Sequence, residues 1–457
     1  MKISTLVIVL LAAALGGYVY YSEIRHPAEK TAEDAPKPLY KISSEEIASI
    51  QLTRPGEGAP VKLERGEQGW VLTSPIQTRA DRSSADSLAG ALARAASTRS
   101  LPADPQRMKE YRLEPPAATV EFRLKSGQTH KLELGAKDFS GTDVYARQEG
   151  AKDLVMLPDT LLSEASKPLL DLRDRAVLDL PGWSLTELDF HTPKSKFRLE
   201  KKGDDWRMTE PREAPADSDE ESGLSTALSS ARFTAVEDEK APDHAEAAKY
   251  GLATPAVTVH VRNEQGNEAT LVVGKKDGNS YFARDASRSM VFRVEDSLVK
   301  KFADASFESL RDKHILREKA DDFSKLSIRN ENLTMTATRS PDGKWQVEAP
   351  ANLKGKVMNV WHVFEPLNTT KATEVMDHPS AAVLAKLAKP AVEVQLTDPK
   401  GAVTTVAVSA KDGESVYARS SSSPTTVFKM DAYTLVQLDF TPQQAVPPEA
   451  PAPGPNK

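Results

Sequence analysis

Apolar and polar positions along this chain fall into a pattern that is written three times. In its first appearance Ile47, Ile50 and Leu52, then Val61 and Leu63, then Trp70 and Leu72 keep a period of about two, with Gly and Pro between the runs, which predicts a short antiparallel meander. The period then changes: Leu88, Ala91, Leu92 and Ala95 fall at i, i+3, i+4 and i+7, a helix stripe that Asp81 or Ser83 can cap. The turn from Leu113 to Pro116 leads into a strand from Thr119 to Leu124, because proline disfavours helix before it and starts an extended segment. The block closes on KLELGAKDFSGTDVYAR, Lys131 to Arg147, which reads as a β-hairpin around a Lys-Asp turn.

The second block runs through Leu185, Leu188 and Phe190, then Phe197 and Leu199, then Trp206, with helix positions Leu224 and Leu228. Its turn is Leu252 to Pro255, its strand Ala256 to Val261 and its hairpin Thr270 to Arg284. The third has Leu326 and Ile328, Leu333 and Met335, Trp345, helix positions Val360 and Phe364, the turn Leu387 to Pro390, and the hairpin Thr405 to Arg419. Trp70, Trp206 and Trp345 are each followed five residues later by proline, and Arg147, Arg284 and Arg419 end the three hairpins. An interval this long exceeds the roughly 20 to 50 residues of a solenoid repeat and indicates tandem domains. The expected fold class is α+β, with three tandem repeat domains at 40–180, 181–318 and 319–442, each an antiparallel sheet covered by helices. Blocks one and two end in Leu172-Arg173-Asp174 and Leu310-Arg311-Asp312, whereas the third ends in Leu438-Asp439-Phe440. A pair that joins one domain to the next should be missing from the last, so Arg173, Asp174, Arg311 and Asp312 read as interdomain joints rather than as a catalytic pair.

Composition narrows the functional classes. The 457 residues carry a formal charge of −6 and no cysteine. That balance gives no electrostatic reason to bind nucleic acid, and the missing thiols exclude disulfides, thiolate zinc sites, a cysteine nucleophile and a lipid-bearing amino terminus. Ile3 to Tyr21 is free of charge and, as a helix, would span roughly 28 Å, about the thickness of bilayer hydrocarbon. Tyr18, Tyr20 and Tyr21 stand where an aromatic belt would meet headgroups. The expectation is therefore a transmembrane anchor at 1–22, with a cleaved signal peptide ending near Ala14-Leu15-Gly16 as the alternative. A flexible stem at 23–39 and a Pro-rich, disordered tail at 443–457 complete the plan. The bulk of the chain is then expected outside the cytoplasm, on a single-pass anchor.

The Trp-x-x-x-x-Pro segment, the capped helix, the turns Tyr111 to Pro116 and Tyr250 to Pro255, the Gly-x-Lys-Asp hairpin and the Leu-Arg-Asp ending, taken together, resemble the bacterial family called domain of unknown function 4340. The resemblance covers nearly the whole chain after the stem. It implies a membrane-anchored envelope protein, often encoded beside ABC transporters of the gliding-motility type, and hence an accessory role next to transporter subunits. It carries over no catalytic or binding residue. The third block departs from it, with Ser409 where the others have Gly135 and Gly274, and with no tyrosine before Leu387.

Local signatures of chemistry are missing. The eight histidines are scattered, and no His-Glu-x-x-His, phosphate loop, Gly-x-Gly-x-x-Gly or Gly-x-Ser-x-Gly occurs. Asp138, Asp277 and Asp412 could line a cation or glycan groove, but aspartate favours turns because its carboxylate bonds backbone amides two residues on. The three tryptophans could stack on sugars, but a strand tryptophan under a helix explains their spacing more simply. The expected function is a non-enzymatic extracytoplasmic scaffold without cofactor or metal, with a binding module for a glycan or other envelope polymer as the alternative and a hydrolase without a local motif as the third reading.

Overall fold

A computed structural model describes residues 36–240 and 244–446. The anchor read at 1–22, most of the stem and residues 447–457 of the tail read at 443–457 lie outside the described residues; residues 443–446, expected to be disordered, are instead ordered, the helix Pro442–Ala445 burying Ala445. Among the described residues no helix is long and apolar enough to cross a membrane. Contacts divide the chain into two compact units, one reaching Val177 and including Arg232–Glu237, the other comprising Leu178–Ala231 and the chain from Asp238 onward. Both are built of antiparallel sheet with helices.

The first unit contains β1 (Lys37–Pro38), β2 (Ile47–Thr53), β3 (Val61–Gly66), β4 (Gly69–Ser74), β5 (Thr78–Arg79), α1 (Arg82–Ala93), β6 (Ala96–Ser97), β7 (Arg99–Pro102), β8 (Ala118–Leu124), β9 (Thr129–Lys137), β10 (Asp143–Gln148), β11 (Asp153–Pro158), α2 (Thr160–Ala165) and α3 (Leu169–Leu172). Its main sheet has the order β5-β4-β3-β2-β8-β9-β10-β11-β7, and β1 pairs separately with β6. Strand alternation sends Ile50, Leu52, Leu63, Leu72, Val120 and Phe122 to the face that α1 covers with Leu88 and Leu92, all essentially solvent-free. The register sets Ile50 opposite Phe122 and Leu52 opposite Val120. Asp81 caps α1 by accepting the Ser84 amide at 2.7 Å.

The second unit holds two sheets. The first is made from β12 (Leu185–His191), β13 (Lys196–Lys202), β14 (Asp205–Glu210), β15 (Ala214–Pro215), β17 (Val257–Asn263), β18 (Glu268–Asp277), β19 (Ser280–Asp285) and β20 (Val291–Glu295), in the order β15-β14-β13-β12-β17-β18-β19-β20. Helix α4 (Ser218–Ser230) precedes β16 (Ala235–Asp238) and α5 (His244–Lys249) in the chain, and α6 (Asp296–Ala303) and α7 (Phe307–Leu310) follow β20. The other sheet is made from β21 (Lys325–Arg329), β22 (Thr334–Arg339), β23 (Trp345–Ala349), β24 (Glu374–Met376), β25 (Val392–Thr397), β26 (Val403–Val408), β27 (Ser415–Ser420) and β28 (Val427–Asp431). Its order is β23-β22-β21-β25-β26-β27-β28-β24, with α8 (Trp361–Asn368), α9 (Ala381–Lys386), α10 (Tyr433–Leu438) and α11 (Pro442–Ala445). Helix α8 starts one residue later than the stripe suggests, so Val360 is its N-cap and Phe364 lies on its buried side.

Glycine and serine at one strand position show how packing reads the sequence. Tyr111 stacks on Tyr145 with ring centroids 4.2 Å apart, and the turn that carries it drops its carbonyl onto β9, where it accepts the Ala136 amide at 2.7 Å. A Cβ on Gly135 would stand 2.2 Å from that carbonyl oxygen. The same approach recurs at Gly274, where a Cβ would stand 2.1 Å from the Tyr250 carbonyl oxygen that accepts the Lys275 amide. On β26 the turn has no tyrosine, and buried Ser409 fills the place, its hydroxyl donating to the Ala410 carbonyl and accepting the Tyr417 amide.

The ends of the sheets close in a shared way. Asp81 donates its amide to the Leu172 carbonyl, Asp217 to that of Leu310 and Asn359 to that of Ala445. The third segment therefore ends, by backbone geometry, at α11 and Ala445-Val446; Leu438-Asp439-Phe440, the ending read from the sequence, lies one helix earlier. The apolar similarity of Leu438 to Leu172 and Leu310 drew that reading, whereas the hydrogen bond selects the small residue Ala445.

Candidate functional site

Within the second unit the sheet ending in α7 meets the sheet containing β24 through the contact of Arg311 with Asp377. Arg311 follows α7 and closes onto Ala216 in an isolated bridge beside β15. Its side chain is 7 % exposed and reaches Asp377, just past β24, with a bidentate pair of hydrogen bonds at 2.8 and 3.1 Å. Arg212 approaches the same carboxylate at 2.9 Å while its guanidinium lies 4.0 Å from the Phe307 ring centroid. Hydrogen bonding from Arg311 is the main cause that holds the Asp377 carboxyl below the usual carboxylate range.

A second contact lies one helix away. Asp217 is buried and caps α4 by accepting the Asp219 and Glu220 amides, and Lys371 reaches it at 2.7 Å and Asp219 at 3.2 Å. Burial disfavours the Lys371 ammonium, but the hydrogen bonds and charges of Asp217 and Asp219 together outweigh it and keep the group charged to higher pH than usual. Asp312, next to Arg311, accepts the amide of His314 at 2.9 Å, meets its Nδ1 at 2.7 Å and pairs with Arg317 at 2.8 Å. Burial opposes ionisation of Asp312, but these bonds and charges prevail and lower its pKa. Replacing Asp217 with Ala is expected to destabilise the chain by about 1–2 kcal/mol in urea unfolding, the magnitude of a lost helix cap.

The pH dependence follows from the signs. Asp312 and Asp377 have folded-state pKa values below their unfolded ones, so their stabilisation is present above the ordinary aspartate value of about 3.9 and fades as pH falls through and below it. The Lys371 contribution, with its pKa raised, is present below the ordinary lysine range and is lost only as pH rises beyond it. The protection of the 371–377 amides, taken as observed hydrogen exchange relative to the intrinsic rate at each pH, should therefore fall between about pH 5 and pH 3, and the fall should shrink in Asp377→Asn. An equal loss of protection in both proteins would remove Asp377 from the account.

Between these contacts opens a cleft of about 630 Å³. Trp206 and Phe364 form apolar wall, Asp217 and Asp312 line one side, and Trp361 lies on the other, 55 % exposed. Two side-chain amides beside it are engaged at one end each: Asn359 Oδ1 accepts the Trp361 amide, and Asn368 Nδ2 donates to the Leu316 and Glu318 carbonyls.

The residues singled out by repetition are placed as follows. Trp70, Trp206 and Trp345 are buried, Trp70 donating from Nε1 to Asp86 at 2.8 Å. Arg147 pairs with Glu133 at 2.7 Å, Arg284 donates to the Arg288 carbonyl, and Arg419 is exposed on β27. In the first unit Arg173 is buried with its guanidinium over the Phe233 ring at 5.5 Å, while Asp174 pairs with Arg79 at 2.7 Å. The turn aspartates are spent locally: Asp138 binds Ser140, Asp277 pairs with Arg293, and Asp412 pairs with Lys386. Asp377, Lys371, Arg212 and Trp361 were not legible in the sequence pattern. A signal for Asp377 was available, since Asp238 ends the corresponding Ala-Val-Glu-Asp segment. Among the described residues no group of three or more His, Cys, Asp or Glu side chains is placed to hold a metal ion.

The pattern of a family described as a domain of unknown function, DUF4340, matches residues 70–207 and 206–390. No curated protein matches the chain. Solved structures similar to it include a DNA polymerase sliding clamp from Pseudomonas aeruginosa with ligand, at 7 % identity and a TM-score of 0.17, covering 85 % of this chain and 92 % of that one. The DNA polymerase III subunit beta from Pseudomonas aeruginosa follows at 7 % identity and a TM-score of 0.16, with the same coverage. Scores that low do not denote a shared fold.

Proposed function

The chain belongs to the DUF4340 family, and from this premise we propose that it is a non-enzymatic, membrane-anchored extracytoplasmic accessory or scaffold protein of a bacterial envelope, associated with an ABC transporter complex. In this reading three tandem copies of one α+β unit stand behind an N-terminal transmembrane helix. The observation that carries it is where the recurring residues go. The tryptophans lie in the cores, Gly135 and Gly274 admit a backbone carbonyl, and Arg311 ties one sheet to the next. A chain whose repeated residues are spent on its own packing offers surfaces and joints to partners rather than a reaction centre. The family resemblance adds the transporter as the partner and the space outside the inner membrane as the place.

The test is purification of the full-length protein from its native membrane in mild detergent at natural abundance. Transporter subunits are expected in stoichiometric recovery. Recovery of the protein alone, or from the soluble fraction, overturns the reading.

A further inference from the structure

The cleft beside the Arg311 joint has features that packing does not use. Its lining carries five carboxylates, Asp205, Asp217, Asp219, Asp312 and Glu365, against Arg317 and Lys319, so with Lys371 counted behind Asp217 and Asp219 it remains net negative. Three of those acids are committed to His314, Arg317 and Lys371. Asp205 is exposed and has no side-chain partner among the described residues, and Glu365 is engaged only by the hydroxyl of Thr369. Beside them Trp361 shows more than half its surface, while Trp70, Trp206 and Trp345 are each under a tenth exposed. An open indole near free carboxylate is the chemistry that recognises a guanidinium or ammonium group, by cation–π attraction and charge-assisted hydrogen bonding. The same joint already does this internally, where Arg212 lies over Phe307 and pairs with Asp377.

We infer that this cleft binds an extended peptide segment of a partner protein that presents an arginine or lysine side chain, its cationic head taken by Trp361 with Asp205 and Glu365. The inference rests on the scaffold reading and names the chemistry of one contact that the scaffold makes. A neutral saccharide is the weaker fit, since it would leave the cleft's net negative charge without a counter-charge and the Asn368 Nδ2 donor is already spent on the Leu316 and Glu318 carbonyls.

Isothermal titration of the full-length protein in detergent with acetyl-Gly-Arg-Gly-Lys-Gly-amide should give saturable one-to-one binding. Trp361→Ala and Asp205→Asn, both exposed positions, should each weaken it by about threefold to tenfold. The acidic peptide acetyl-Gly-Glu-Gly-Asp-Gly-amide and chitotetraose should not bind. Absence of saturable binding of the basic peptide overturns the inference, as does binding indifferent to both substitutions, which is general attraction to an acidic protein. Chitotetraose binding lost in Trp361→Ala replaces the peptide by a glycan. The membrane purification repeated with the two variants separates the claims: partners retained at wild-type levels sink the cleft and leave the scaffold, whereas peptide binding without any recovered partner sinks the scaffold.

Discussion

Gly274→Ala is expected to cost about 3 kcal/mol or more of stability, the upper end for forcing extra volume into a packed site. The new Cβ would stand 2.1 Å from the Tyr250 carbonyl oxygen, and 3.0 Å from the Gly251 carbonyl carbon. Both obstacles are backbone, so no side chain can rotate away. Relief requires the Tyr250 turn to lift off β18, which breaks the bond from the Lys275 amide at 2.9 Å and parts Tyr250 from Phe282, whose ring centroids are 5.1 Å apart. The control is Ser409→Ala, where a side chain already fits and only two hydrogen bonds of its hydroxyl are lost. That change should cost about 1–2 kcal/mol. Urea unfolding of the three proteins checks the order, and a Gly274→Ala midpoint equal to wild type would show that the close approach is not maintained.

Removing the guanidinium of Arg311 is the second large effect. In Arg311→Met the Asp377 carboxylate keeps only the half-exposed Arg212, and the loss should be about 3 kcal/mol, as for a broken buried pair. Arg311 also carries an Nε that is buried without an acceptor, so the pair is not an optimised one. Replacing both partners, as Arg311→Met with Asp377→Leu, should therefore restore much of the stability, because no buried charge is left alone. Arg212→Ala by itself should cost under about 1 kcal/mol, since its side chain is largely solvated. Urea midpoints and hydrogen exchange at β24 read all four proteins. A double variant as unstable as Arg311→Met would assign the loss to packing against Phe307 instead of charge.

Local pattern made the strands and helices legible because burial has a fixed period on each. Ile50, Leu52 and Phe122 alternate along strands, and Leu88 and Leu92 lie one helical turn apart, so the covered faces could be read without coordinates. The Arg311 joint and the cleft beside it were not legible, for Trp361 looks like another apolar helix position and Asp377 like an ordinary strand end. Their roles depend on residues more than sixty positions away, and one-dimensional spacing carries no information about which distant faces meet.

By itself, then, the sequence determined the α+β class, the antiparallel strands and the helix stripes, which depend on neighbours a few residues apart, and the absence of thiol chemistry, which follows from composition. Tertiary structure alone decided that Gly274 admits a carbonyl, that Arg311 meets Asp377, that the third sheet ends at Ala445 and that Trp361 stays open to solvent. The physical reason is that steric fit and the desolvation of charge are set by whatever arrives from elsewhere in the chain, and only the folded backbone brings those groups within reach.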